Sequence, residues 1–252
     1  MNWNDLLSLS LDIGEQMHVA GAEIYRVEDV IQRICRAYGA IDVDVFTITS
    51  SIVLTIQEPN GHRWTQTRRI EKSKMNLTRV DQLNRLSRKI CQERPSYREC
   101  DALFQEIMQT PRYPVWVEYA SYALVAGAFT LFAGGSWRDG LISCLIGVLL
   151  RYYIAFDRKM QFNRVFSSII SSFVVAFLAF WSVRLNLGQS VEDIVIGNIM
   201  LLIPGVALTN SLRDMISGDT MSGILRFMEA CIVALAIASG FILAGFVMGG
   251  GL

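Results

Sequence analysis

The sequence predicts an α+β cytoplasmic N-terminal domain, residues 1–112, followed by an all-α membrane domain of five transmembrane helices, residues 113–252. Three observations lead there. Hydrophobic residues make up 52% of the chain and mean hydropathy is +0.35, more apolar than an ordinary soluble domain. The 23 basic and 23 acidic residues fall mostly before about Pro114. Beyond that point come apolar runs of about 20 residues, the length a helix needs to cross a bilayer.

The N-terminal elements follow in order. MNWNDLLSLSLDIGEQMH mixes acids into its apolar pattern and lacks a basic start, so it does not read as a secretory signal. Leu6, Leu7, Leu9, Ile13, Met17 and Ala20 form a helical stripe that Gly21 interrupts. AEIYRVEDVIQRICRAYG resumes the helical period, with Ile24, Val27, Ile31, Ile34 and Cys35 on one face and Gly39 as its C-cap. DVDVFTI, SIVLTIQE and RWTQTRRI read as strands, and Pro59-Asn60-Gly61 turns the chain between the last two. Asn76 to about Arg94 is helical again. Ser96-x-x-Glu99 then supplies a capping box for a further helix that ends near Pro111.

Five membrane spans are expected, at about Val115–Gly134, Gly140–Phe156, Val165–Val183, Ile194–Leu212 and Ile224–Met248. The loop holding Asp157-Arg158-Lys159 and Arg164 is basic, which places it in the cytoplasm. The N-terminal domain and the Arg213–Asp219 loop are then cytoplasmic too, and the C-terminus GGGL lies outside a multi-pass cell inner-membrane protein. Gly245-x-x-x-Gly249 in the last span permits close helix contact, within or between copies.

Several chemistries find no pattern. The five Cys and two His lack metal-ligand spacing, so neither a metal site nor a cofactor is expected. No block of like charge points to nucleic acid. P-loop, nucleophile-elbow and HExxH motifs are missing, so no catalytic residue is assigned. Glu23, Arg26 and Glu28 share two helical turns; they fit a solvated or domain-interface charge set better than an acid–base site.

The most informative stretch is LLIPGVALTNSLRDMISGDTMSG, Leu201–Gly223. Proline lacks a backbone donor and clashes with the carbonyl four residues earlier, here that of Met200. In lipid, freed backbone groups are tolerated only where protein or a water-filled cavity covers them. Entering near Asp193, the fourth span would break at Pro204 about 16 Å in, near the midplane. The half-helix after Gly205 would then aim its positive dipole, through the amides of Val206 and Ala207, at a carboxylate. Thr209, Asn210, Arg213, Asp214, Asp219 and Ser222 would continue the substrate path. Asp214, Asp219 and Glu229 are candidates to couple protons. Arg226 and Glu229 are spaced to pair. Arg151 either snorkels to headgroups or serves substrate, the former favoured. Five spans cannot form two matched halves, so a partner or further copies are expected.

Two stretches resemble a known family. GAEIYRVEDVIQRICRAYG is similar to the opening of the threonine/serine exporter family (ThrE), and LIPGVALTNSLRDMISGDTMSGILR to its PG…TN…RD…GD…SG signature. At this length the chain resembles the YjjP-like larger half. The resemblance implies an exporter, or its larger subunit, for threonine/serine or dicarboxylates such as succinate, working with a second small membrane subunit, and no enzyme. It carries the signature onto Pro204, Gly205, Thr209, Asn210, Arg213, Asp214, Gly218, Asp219, Ser222 and Gly223, and the opening motif onto Glu23, Tyr25, Arg26 and Glu28, with an interface or gating role. The alternative is a membrane-anchored hydrolase-like enzyme acting through Glu23 and Glu28 of the cytoplasmic domain.

Overall fold

The computed structural model describes residues 2–71, 75–110, 113–160 and 162–249, with the side chains of Arg158 and Lys159 set aside. The Arg158 and Lys159 side chains of the expected basic loop and most of the GGGL terminus thus lie outside the described residues. By packing, the chain divides into two units: Met1–Pro111 with Val206–Phe227, and Arg112–Gly205 with Met228–Leu252.

In the first unit, Asn2 opens helix α1 (Trp3–Val19) by accepting the Asn4 amide. Leu6, Leu7, Leu9, Leu11, Ile13 and Met17 are all at most 2% exposed. The expected stripe is therefore too narrow. Helix α1 packs against helices α2 (Ile24–Ala37), α3 (Leu77–Glu93) and α4 (Tyr97–Gln109) and against the sheet, so most of its circumference is apolar.

Strands β1 (Asp42–Ile48), β2 (Ser51–Gln57) and β3 (Arg63–Arg69) form an antiparallel sheet in that order. Its register pairs Val45 with Leu54 and Leu54 with Gln66. Ile52, Leu54 and Ile56 point into the core, as period-two alternation requires. The turn before β3 closes through the Glu58 amide and the His62 carbonyl at 2.9 Å. The Ser96–Glu99 capping box forms as read from the sequence.

The second unit holds α5 (Val115–Ala133), α6 (Trp137–Met160), α7 (Arg164–Arg184), α8 (Val191–Ile199) and the later part of α10 (Thr220–Val247). Among the described residues, four helices are long and apolar enough to cross a membrane: Val115–Ala133, Trp137–Asp157, Arg164–Arg184 and Thr220–Val247. The fourth expected span, Ile194–Leu212, is not among these four. The fourth expected span is split into α8, of 9 residues, and α9 (Gly205–Ile216), of 12, so neither piece has spanning length. The cause is Pro204, which has no amide to continue the ladder.

Small residues set how closely the helices of this unit approach. A Cβ on Gly147 would lie 2.7 Å from the Tyr122 carbonyl oxygen, and one on Gly197 2.6 Å from that of Ala126. At Gly240 a Cβ would collide with the Ile169 carbonyl. Of the expected Gly245–Gly249 pair only Gly245 lies on α10, because Gly249 follows its end with φ 70°. Overpacking predicts that Gly197→Ala lowers stability by about 1–3 kcal/mol in a detergent melt; an unchanged melt would mean the α5–α8 contact is loose.

Candidate functional site

Gly21 adopts φ 92°, which an L side chain rarely tolerates. This bends the chain between α1 and α2 so that the carbonyls of Gly21 and Ala22, and the first amide of α2, all meet polar groups from the signature stretch. Asn210 Nδ2 donates to the Gly21 carbonyl at 3.0 Å. Ile24 N–H donates to Asp214 Oδ1 at 3.2 Å, so Asp214 caps α2 from 190 residues away. Glu23, at the N-cap position, makes no side-chain capping bond. Its carboxylate pairs instead with Arg213 at 2.5 Å and Arg26 at 3.1 Å.

Arg226 completes the cluster. Its Nη1 donates to Asp214 Oδ2 at 3.0 Å and to the Ala22 carbonyl at 3.4 Å, and its Nη2 lies 3.2 Å from His18 Nε2. An arginine only donates, so His18 accepts here as a neutral ring. Asp214 is 0% exposed and His18 3%. Burial raises the Asp219 carboxyl above its ordinary value, with Arg226 opposing, and likewise that of Glu28, with the Thr47 amide opposing at 2.8 Å. Burial, then the Arg226 charge, push His18 down to about 4.

The structure brings together Glu23, Arg26, Asn210, Arg213 and Asp214 of the sequence-predicted residues. Glu28 bonds separately to β1, and Tyr25 is 40% exposed. Ser222 is buried, and Val206 and Thr209 are exposed. Gly205 begins α9 directly after Pro204. The expected Arg226–Glu229 pair is corrected. Arg226 turns to Asp214, and Glu229 is exposed. A fully buried carboxylate demands the guanidinium more than a solvated one does. His18 and Arg226 are members that the site reading missed. The i, i+3 spacing of Arg226 pointed to the wrong acid.

In the second unit, Arg151 Nε and Nη2 both donate to Glu118 Oε2, the first at 2.9 Å. The Arg151 guanidinium carbon lies 5.3 Å from the Tyr119 ring centroid. Farther along the bundle, Asn198 Nδ2 donates to Ser143 Oγ at 2.6 Å, and Thr130 donates to the same oxygen. Asp139 Oδ2 accepts from Ser136, while its Oδ1 accepts the Gln189 amide at 2.6 Å. These polar groups tie helices and loops together in place of hydrophobic contrast, which is weak in lipid.

Among the described residues no group of three His, Cys, Asp or Glu could hold a metal. Nothing supports the hydrolase alternative: Glu23 is committed to two arginines and Glu28 to a strand amide.

Comparison with known proteins agrees with the membrane reading. The family model described as "Putative threonine/serine exporter" matches residues 8–248. The chain is 24% identical over 225 residues to the "Probable succinate transporter subunit YjjP" of Klebsiella aerogenes, covering 89% of this chain and 86% of that protein. It is 25% identical over 246 residues to the "Probable threonine/serine exporter" of Mycobacterium tuberculosis, covering 95% of this chain but 45% of that protein. The "Threonine/serine exporter" of Corynebacterium glutamicum is 22% identical over 93% of this chain and 50% of its own length. The chain thus spans about half of those two exporters and most of the YjjP protein. No solved structure matches. With a match over nearly its whole length, the chain belongs to the threonine/serine exporter family.

Proposed function

We propose that this chain is the larger subunit of a secondary exporter in the cell inner membrane, moving small carboxylate-bearing solutes such as threonine, serine or succinate. It works with a second small membrane subunit, with further copies of itself, or with both. The observation that carries this reading is the helix break at Pro204, between α8 and α9 and within the stretch that resembles the family's signature. The name of the YjjP relative as a transporter subunit supports the need for a partner.

In this reading α8 and α9 together make the fifth crossing. Residues 1–112 lie in the cytoplasm and the C-terminus outside. Pro204, Gly205, Val206, Thr209, Asn210, Arg213, Asp214, Asp219 and Ser222 line the solute path, with the N-terminus of α9 offering amides and a positive dipole end to the carboxylate. Glu23, Tyr25, Arg26 and Glu28 gate that path from the N-terminal domain. Asp214, Asp219 or Glu229 couples protons to solute.

Flux of labelled succinate, threonine and serine into liposomes under a pH gradient tests this, with and without the small partner. Flux of none of them, in either arrangement, would overturn it. Pro204→Ala restores a backbone donor and is expected to cut flux about tenfold while leaving the melt unchanged. Undiminished flux would remove the broken-helix mechanism.

A further inference from the structure

A groove runs along the first turns of α5, with a volume of about 220 Å³, lined by Tyr113, Val117, Glu118, Ser121, Tyr122 and Arg151. It lies wholly within the second unit. Its size is below that of drug-sized pockets and suits a small solute or a single headgroup. Arg151 is the unusual member. Its side chain is 8% exposed, and both nitrogens that are bonded converge on one oxygen of Glu118. Its third nitrogen, Nη1, is buried with no hydrogen-bond partner. A buried charged group with unmet donors carries a desolvation cost that a helix staple alone would leave standing. A snorkelling arginine would extend its head outward, whereas this one is covered by protein and lies over Tyr119.

We propose that this groove binds an oxyanion, a carboxylate or a phosphate group, on the Arg151 guanidinium. The planar fork of arginine matches two anionic oxygens at once, and Glu118 supplies only one. Glu118 is therefore the placeholder. Its side chain is 30% exposed against 8% for Arg151, so it can return to water while the guanidinium stays. The incoming oxyanion takes both faces of the fork, and Tyr113 and Tyr122, which also line the groove, carry phenols able to donate to it. Ser121 is already donating to the Val117 carbonyl of its own helix and contributes shape.

Glu118 competes with the ligand, so the two partners of one ion pair have opposite effects on binding. That opposition separates a binding site from a structural pair. A pair that merely joined α5 to α6 would lose stability when either partner is changed, with no gain in affinity from either.

The test uses the full chain in zwitterionic nanodiscs, titrated calorimetrically with succinate and, separately, inorganic phosphate. A second arm adds phosphatidylglycerol to the nanodiscs and measures retained lipid by native mass spectrometry. Wild type is expected to bind at least one of the three probes. Arg151→Gln should weaken that binding about tenfold or more, and Glu118→Gln should tighten it about tenfold. Binding of succinate or phosphate would identify a soluble ligand. Binding of phosphatidylglycerol alone, with the same dependence on Arg151, would identify the headgroup as the source of the oxyanion. Should Arg151→Gln fail to fold, Arg151→Lys keeps the charge, loses the fork and should still weaken binding. The proposal is overturned if no probe binds in an Arg151-dependent way, or if Glu118→Gln weakens binding as Arg151→Gln does. The choice of succinate rests on the exporter reading, but binding is read without flux, so either can fail alone.

Discussion

Replacing Asp214 with alanine is expected to destabilise the first unit by about 3–5 kcal/mol, the usual cost of breaking a buried ion pair from one side. The size follows from what Asp214 serves. It is 0% exposed, it accepts the first amide of α2, and it balances Arg226, whose side chain is 14% exposed. Alanine leaves that amide uncapped and a guanidinium without its anion. Thermal melts in detergent should fall by on the order of 10 °C. Asp214→Asn should cost less, because its amide oxygen can still accept from Ile24 while the charge alone is lost. A double replacement, Asp214→Ala with Arg226→Met, should cost less than the sum of the single changes, because the pair's own desolvation penalty disappears with it. A melt of Asp214→Ala within about 1 kcal/mol of wild type would mean that water already reaches the cluster, and that the capping of α2 from α9 is incidental.

The same cluster shows where the sequence was legible. Local rules found the N-terminal elements, because helix and strand periods differ and each boundary carries its own chemistry. Ser96 and Glu99 reciprocate across one turn, and Gly61 takes φ 89° in the hairpin. The break at Pro204 was legible for the same reason, since proline acts on its own backbone. What sequence could not give was the choice among partners that spacing permits. Arg226 can reach Glu229 on its own helix, yet it takes Asp214, which is buried and would otherwise stand unpaired. His18 lies 208 residues from Arg226, and no local pattern links them. Glycines show the same limit. Gly245 and Gly249 have the familiar spacing, but it is Gly240 whose face meets the Ile169 carbonyl, because helix rotation is set by the whole bundle. Small–small spacing is a necessary condition for close approach, and it says nothing of which helix face is used.

Acidification is expected to weaken the first unit through His18. Its folded pKa is depressed from 6.5 to about 4, first by burial and then by Arg226. A depressed pKa means that the neutral ring's contribution is fully present above the unfolded value and is lost as pH falls through the folded one. The window is therefore pH 6.5 down to about 4, and the loss is on the order of 3 kcal/mol. At 3% exposure, solvent screening does little to reduce it. Asp219 and Glu28 act with the opposite sign. Their folded pKa values are raised, so their contribution is present at low pH and is lost as pH rises through those values. A wild-type profile alone thus mixes two opposed slopes. His18→Gln separates them, because glutamine can accept from Arg226 through its carbonyl oxygen and does not titrate. The difference between the variant and wild type should be nearly constant above pH 6.5 and should grow in the variant's favour toward pH 4, reaching about 3 kcal/mol in denaturant melts. Parallel profiles would show that the ring takes up its proton in place, with Arg226 swinging away from Nε2 at little cost, and the buried contact would then be a preference of the neutral state alone.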